Sequence, residues 1–125
     1  MALKWIQKQA LANMKIKDVT TLFVNAGWRP WIFVRIETRC GIVGWSECTD
    51  SHGSPNGIKG IIDEIAVLIV DKDPTDINAI LLFLRSRTRQ SPGSIIHKAI
   101  AGIENALWDI MGKQLGIPVH HIFGG

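Results

Sequence analysis

The sequence predicts an α+β fold, in which a small antiparallel sheet is followed along the chain by a layer of helices. Two observations predict this order. Residues 15–47 hold three stretches rich in β-branched and aromatic side chains, whereas beyond residue 54 apolar residues recur about every 3.6 positions. Because strands and helices are segregated along the chain, we expect two layers, with one sheet face packed against helices.

Three strands are predicted, over residues 15–24, 31–38 and 42–47. The second is the clearest, because its isoleucine and valine residues alternate with polar and aromatic residues on the opposite face. Gly41 lies in the short turn before the third strand, where a glycine can adopt positive φ. The three strands are therefore expected to form an antiparallel meander.

Three helices are predicted to follow the sheet. Ser54 followed by Pro55 is typical of an N-cap and the first helical position. Asp73 followed by Pro74 repeats this signal for a second helix. Ser94 is expected to cap the third helix by the same mechanism.

The third helix is predicted to end at Gly116, which can adopt the left-handed conformation, and Pro118 prevents its continuation. Its apolar surface is wider than a single stripe because Ile95 and Trp108 lie beside that stripe. Two placements stay open on periodicity alone. The helix belongs to the helical layer, or it packs against a partner.

Length and composition indicate one globular domain. The chain has 125 residues, and we expect a basic extension at residues 1–13 before the domain at 14–125. A hydrophobic fraction of 46% with 20% charged residues is ordinary for a packed core and argues against disorder. The bases behind the net charge of +3 are scattered, so no nucleic-acid partner is expected. No apolar run approaches the ~18 residues of a membrane span.

Residue types that commonly carry chemistry do not cluster in this sequence. Cys40 and Cys48 have neither CxxC spacing nor the histidines of a zinc site, so we expect reduced thiols, which suit a cytoplasmic protein. The acidic residues stand on separate predicted elements, and no metal site is expected among them. The neighbours His120 and His121 cannot both face one ligand, which favours a surface pair.

Five motifs occur in an order that resembles one enzyme family. They are WIFVRIET, GIVGWSE, KDP, AIAGIENALWDIMGK and the closing LGIPVHHIFGG. Together they resemble the N-terminal capping domain of the enolase superfamily, in the mandelate racemase and muconate lactonizing enzyme branch, and especially its galactonate-dehydratase-like members. Ser46 stands where the family usually has the second glycine of GWGE, a departure that touches no chemistry.

The resemblance implies a two-domain enzyme whose active site lies on a β/α barrel absent from these 125 residues. In the family a lysine or histidine base and Mg²⁺ act on a carboxylate substrate, as in racemases (isomerases) and acid-sugar dehydratases (lyases). The bases and metal ligands lie on barrel strands. We therefore expect this chain to be a fragment that has no catalytic or metal-binding residues and no enzymatic activity by itself. Mg²⁺ and the sugar-acid substrate are expected to bind through the missing barrel.

The resemblance also implies two lid loops, at residues 25–30 and 48–57, that fold over the barrel mouth. The residues expected near a substrate are Trp28, Arg29, Thr49, Ser51 and His52. A lid must offer apolar bulk to displace water and polar groups to read hydroxyls or a distal carboxylate, which Arg29 could bind through two hydrogen bonds. The competing interpretation is that Trp28 packs at a strand end and Arg29 is solvated.

A second hypothesis is a stand-alone, non-catalytic binding or assembly module. The excess apolar surface of the third helix would then pair with a second copy of the chain, as a homo-oligomer, or with a separately encoded barrel. The sequence downstream of Gly125 would discriminate the two hypotheses.

Overall fold

The computed structural model describes residues 2–50 and 52–125 and confirms the α+β architecture. Within these residues the elements are α1 Ala2–Asn13, β1 Ile16–Asn25, β2 Pro30–Thr38, β3 Val43–Glu47, α2 Pro55–Ala66, α3 Ile77–Arg87, α4 Ser94–Leu115 and α5 Val119–Ile122. The strands form one antiparallel sheet in the order β1-β2-β3, which is the predicted meander. The extension ahead of the sheet forms α1.

One face of the sheet is buried against the helices. On β2, Ile32, Val34 and Ile36 are fully buried, because alternate side chains of a strand point to the same face. The opposite face carries Trp31 and Trp45, which are 41% and 43% exposed. One face of the sheet is therefore buried under the helices. The other face exposes tryptophan side chains that no described element covers.

The turn and the helix ends that the sequence predicts are set by residues close by in the chain. Gly41 has φ 91° in the β2–β3 turn, the left-handed region that glycine adopts without strain. Ser54 caps α2, since its Oγ accepts the Gly57 N–H at 3.1 Å, and Pro55 opens the helix. Gly116 ends α4 with φ 69°. Each of these predictions is confirmed.

Two predicted helix starts were wrong. Asp73 Oδ1 accepts both the N–H and the hydroxyl of Thr75, at 2.9 and 2.7 Å, so this side chain closes a turn instead of capping a helix. The α3 helix begins later, at Ile77. Ser94 is the first helical residue of α4, and Gly93 occupies the N-cap position.

The long helix α4 belongs to the helical layer, which decides the placement that periodicity left open. It contacts β2, β3, α2 and α3, and its buried residues are Ala99, Ile100, Gly102, Ile103, Ala106, Leu107, Ile110 and Gly112. Trp108, which widens its apolar surface, is half-buried and packs edge-on against Phe123 with ring centroids 4.7 Å apart. None of the described helices combines the length and apolar content needed to cross a bilayer.

Candidate functional site

Both predicted lid loops leave the sheet at the same end. Asn25, the last residue of β1, pairs with Pro30, the first residue of β2. Glu47, the last residue of β3, pairs with Phe33 near that same end of β2. The turn at residues 25–30 and the loop at residues 48–57 therefore start from neighbouring points on the sheet.

The first loop is a tight turn fixed by its own main chain. The Asn25 Oδ1 accepts the N–H of Gly27 at 2.9 Å, and the Ala26 N–H donates to the Arg29 carbonyl at 3.1 Å. Gly27 has φ 92°, a conformation that favours glycine. Trp28 follows at the tip and is 71% exposed, so it does not pack at the strand end as the competing interpretation held.

Arg29 and Trp28 form one stacked unit in this turn. The Arg29 Cζ lies 4.5 Å from the centroid of the Trp28 ring, a cation–π distance. Arg29 is half-buried, and its Nε is buried with no hydrogen-bond partner among the described residues. An open concavity of about 380 Å³ surrounds the pair and is lined by Phe23, Asn25, Gly27, Trp28, Arg29 and Pro30.

The first residues of the second loop are hydrogen-bonded to the beginning of β2. The Ile32 N–H donates to the Thr49 Oγ1 at 3.2 Å, and the Cys48 N–H donates to the Ile32 carbonyl at 2.8 Å. Thr49 therefore orients the loop through its hydroxyl oxygen.

An ion pair and a hydrogen bond also join this loop to α4. The Asp50 Oδ1 lies 3.0 Å from the Lys98 Nζ, and the Asp50 side chain is only 15% exposed. The Cys48 thiol donates to the Lys98 carbonyl at 3.0 Å, and burial raises the pKa of that thiol. A Cβ built on Gly53 would stand 1.8 Å from the Asp50 Oδ2, so the loop folds tightly over this carboxylate. Sequence reasoning missed both Asp50 and Lys98.

Two predicted site residues of the second loop remain. Ser51 lies outside the described residues, and His52 is exposed. The structure thus unites Trp28 with Arg29 in one turn and sets Thr49 at the root of the other loop. The two loops share one end of the sheet.

The described residues do not fit a magnesium ion. Within 2–50 and 52–125, no group of three His, Cys, Asp or Glu side chains converges as metal ligands would. Many carboxylates instead pair with cations: Lys17–Glu37, Arg35–Glu37, Arg39–Asp71, Lys59–Asp63, Lys98–Asp50 and Lys113–Asp109.

The chain thus combines a three-stranded antiparallel sheet backed by helices with two loops that leave the same end of that sheet. The chain matches the family described as "Mandelate racemase / muconate lactonizing enzyme, N-terminal domain" over residues 6–124, and it belongs to that family. The resemblance seen in the sequence motifs is confirmed. The chain corresponds to the N-terminal domain of enolase-superfamily enzymes.

Relatives of known name and solved structure agree with this assignment. The D-galactonate dehydratase of Xanthomonas euvesicatoria pv. vesicatoria (strain 85-10) is 41% identical over 112 residues, covering 90% of this chain and 28% of that protein. A putative L-alanine-DL-glutamate epimerase from Burkholderia xenovorans strain LB400, bound to magnesium and fumarate, has a TM-score of 0.85 at 35% identity, covering 90% of this chain and 28% of that one.

A putative galactarate dehydratase from Agrobacterium radiobacter, with bound Na and L-malate, is also similar to this chain. Its TM-score is 0.82 at 30% identity, and the match covers 90% of this chain and 28% of that one. The chain therefore spans 28% of the length of each of these relatives.

Proposed function

We propose that this domain is the cap and substrate-specificity element of a Mg²⁺-dependent acid-sugar dehydratase or racemase, and that a β/α barrel supplies the metal and the base. Family membership over residues 6–124 carries this proposal. The named relatives include D-galactonate dehydratase and a putative epimerase, so both dehydration and racemisation remain in the proposed class. Their common chemistry is removal of a proton beside a carboxylate.

In this proposal the two loops close over a small-molecule carboxylate. Trp28, Arg29, Thr49, Ser51 and His52 are the residues proposed to face it. The exposed Trp28 indole would displace water, and the Arg29 guanidinium would bind an anionic group. Excluding water strengthens each electrostatic contact in the site, because the local dielectric falls.

We also propose that the enzyme works in the cytoplasm. Both described cysteines are free thiols, and Cys40 is exposed. Exposed thiols persist in a reducing compartment, whereas disulfides accumulate in oxidising ones.

A chimera tests the proposal directly. This chain replaces the matching region of the Xanthomonas euvesicatoria D-galactonate dehydratase, and product formation is measured with Mg²⁺ over a panel of sugar acids. We expect metal-dependent turnover of at least one acid, and no turnover by this chain alone. The matched control is the dehydratase with its matching region deleted, which should be inactive. A folded, metal-loaded chimera that turns over no acid would contradict the proposal.

One observation favours a second role in assembly. The outer sheet face leaves apolar side chains uncovered, namely Leu22, Val24, Trp31 and Trp45 at 40%, 46%, 41% and 43% exposure. Exposed apolar patches commonly mark protein interfaces. The stand-alone hypothesis relied on α4, which is buried in the layer, so this sheet face is the better candidate surface. Sedimentation velocity of the purified chain tests it, since a monomer at all concentrations contradicts self-pairing.

A further inference from the structure

The helix α1 is not covered by the rest of the domain. Within the described residues, no strand or other helix packs extensively against it. Its side chains Leu3, Trp5 and Ile6 are 77%, 62% and 57% exposed. The helix has 12 residues, with no acidic residue in its first turn and no basic residue in its last. Such a short helix is only marginally stable in water by itself, so it gains stability from a surface on which to pack.

The outer sheet face is a second apolar surface that no described element covers. Its residues Leu22, Val24, Trp31 and Trp45 are 40–46% exposed. They form a continuous area, because Val24 pairs with Trp31 and Leu22 pairs with Phe33 directly across β1 and β2. A contiguous exposed apolar area is typical of a protein interface. The chain therefore offers two apolar surfaces, one on a helix and one on the sheet.

We propose that these two surfaces bind each other between two copies of the chain, so that α1 of each molecule packs on the outer sheet face of the other. The contact segment on the helix side is Ala2–Asn13. The arrangement is isologous, because both molecules use the same two surfaces. It deepens the assembly role proposed above for the sheet face, on which it rests, and it does not depend on the proposed enzymatic role.

The connection between α1 and β1 is short and is itself held in place. It consists of Met14 and Lys15, and Met14 is only 6% exposed. The Lys15 carbonyl accepts the Arg39 N–H at 2.8 Å, and the Ile16 N–H donates to the Lys72 carbonyl at 2.9 Å. Folding α1 back over its own sheet would break these contacts. The outer sheet face is therefore left to α1 of another molecule.

The charges of the two surfaces are complementary. Helix α1 contains Lys4 and Lys8, one turn apart, and no acidic residue. Asp18 and Glu47 belong to the outer sheet face by the alternation of their strands, and both are exposed. Neither forms an ion pair within the described part of the chain. Opposite charges around an apolar contact steer association and fix the register of the partners.

The two surfaces are large enough for a specific pair. Three of the five tryptophans of the chain lie on them, namely Trp5 on α1 and Trp31 and Trp45 on the sheet. A tryptophan buries about 150–250 Å², so two reciprocal helix–sheet contacts would bury on the order of 1,500 Å². Specific interfaces commonly have this size, and tryptophan is enriched among the residues that dominate binding energy.

Sedimentation velocity of the purified chain at increasing concentration is the first test. We expect a reversible dimer with a dissociation constant on the order of 1–100 µM. Trp5→Glu on the helix and Trp31→Glu on the sheet should each raise that constant about tenfold or more. Leu82→Glu is the matched control, because Leu82 on α3 is 67% exposed and lies outside both surfaces. Circular dichroism checks that each variant is folded.

The outcomes separate this inference from the assembly role on which it rests. A chain that stays monomeric at all concentrations overturns both. A dimer that persists unchanged in a folded Trp5→Glu variant overturns the inference alone, because the chain then associates without α1. Equal weakening by Leu82→Glu would show non-specific association and would also overturn the inference.

A charge exchange tests which surfaces meet. One variant carries Lys4→Glu and Lys8→Glu, and the other carries Asp18→Lys and Glu47→Lys. Each variant alone should dimerise more weakly than the unchanged chain, because its helix and its sheet face then carry charges of the same sign. An equimolar mixture should associate more tightly than either variant, since both helix–sheet contacts regain opposite charges. A mixture that associates no better than the separate variants overturns the inference.

Discussion

Gly44 lies against the main chain of α4, so that a Cβ built on it would stand 2.2 Å from the carbonyl oxygen of Ala106. The same Cβ would stand 2.6 Å from the Ile110 Cγ1. The neighbouring residues of β3 bond to the helix across this contact, since the Trp45 N–H donates to the Asp109 Oδ2 at 2.8 Å. Only glycine permits the sheet and α4 to pack at this distance.

The substitution Gly44→Ala should therefore destabilise the domain by about 1–3 kcal/mol or more, because the new methyl group meets backbone atoms that cannot rotate away. Urea denaturation followed by tryptophan fluorescence measures the change. The matched control is Gly60→Ala in α2, where a Cβ meets nothing within 4 Å and should stabilise by about 0.5–1 kcal/mol. Unchanged stability in Gly44→Ala would contradict the close approach of β3 to α4.

The order of strands and helices could be predicted from sequence because it depends on periodicity and on short-range turn signals. Gly41, Ser54 and Gly116 act on residues within a turn or a cap, and their predicted roles are confirmed. Asp73 was misassigned because its side chain can cap a helix or close a turn, and both uses look alike in sequence. The role of Gly44 was not predictable, since it depends on a distant helix.

Those parts of the candidate site that depend on short-range sequence signals could also be predicted. The tight turn that carries Trp28 and Arg29 follows from its position between two strands, yet the stacking of the two side chains is a matter of three-dimensional geometry. Thr49 stays a predicted substrate contact, and the structure shows that its Oγ1 accepts the Ile32 N–H at the start of the second loop. The Lys98 partner of the second loop lies on a helix far along the chain, and no spacing rule identifies it.

The substitution Leu107→Ala should lower the free energy of unfolding by about 2–5 kcal/mol. Leu107 is fully buried in the hydrophobic core, and removing its methyl groups leaves a cavity that the surrounding side chains fill only partly. Chemical denaturation measures the loss. Leu82→Ala is the control, because Leu82 is 67% exposed and its truncation should change stability by no more than about 0.5 kcal/mol. Equal effects of the two variants would contradict the assigned face of α4.

The substitution Lys98→Met should loosen the second lid loop. It removes the cation 3.0 Å from Asp50 and leaves a carboxylate that is mostly buried without its charge partner. We expect faster amide hydrogen exchange at Gly53 and a loss of about 1 kcal/mol in unfolding free energy. Lys59→Met is the matched control, since Lys59 pairs with Asp63 on the exposed side of α2 and should cost only about 0.3–0.5 kcal/mol. Equally fast amide exchange at Gly53 in both variants would show that the Lys98–Asp50 ion pair does not hold the loop.

The two thiols should differ in reactivity and in their effect on stability at alkaline pH. Cys40 is exposed and should react at once with a thiol reagent, whereas Cys48 is buried and should react only when the domain opens. Burial raises the pKa of Cys48 above its ordinary value of 9.0, and the thiol must keep its proton to donate to the Lys98 carbonyl.

Because the unfolded chain loses the Cys48 proton at lower pH than the folded chain, this contribution to stability is complete below about pH 9 and is lost as pH rises through the folded pKa. Denaturation at a series of pH values from neutral to alkaline should therefore show a fall in unfolding free energy that Cys48→Ala reduces. Cys40→Ala is the matched control, because it removes the exposed thiol and leaves Cys48 in place. A fall of the same size in wild type and in Cys48→Ala would mean that another group causes the alkaline loss of stability.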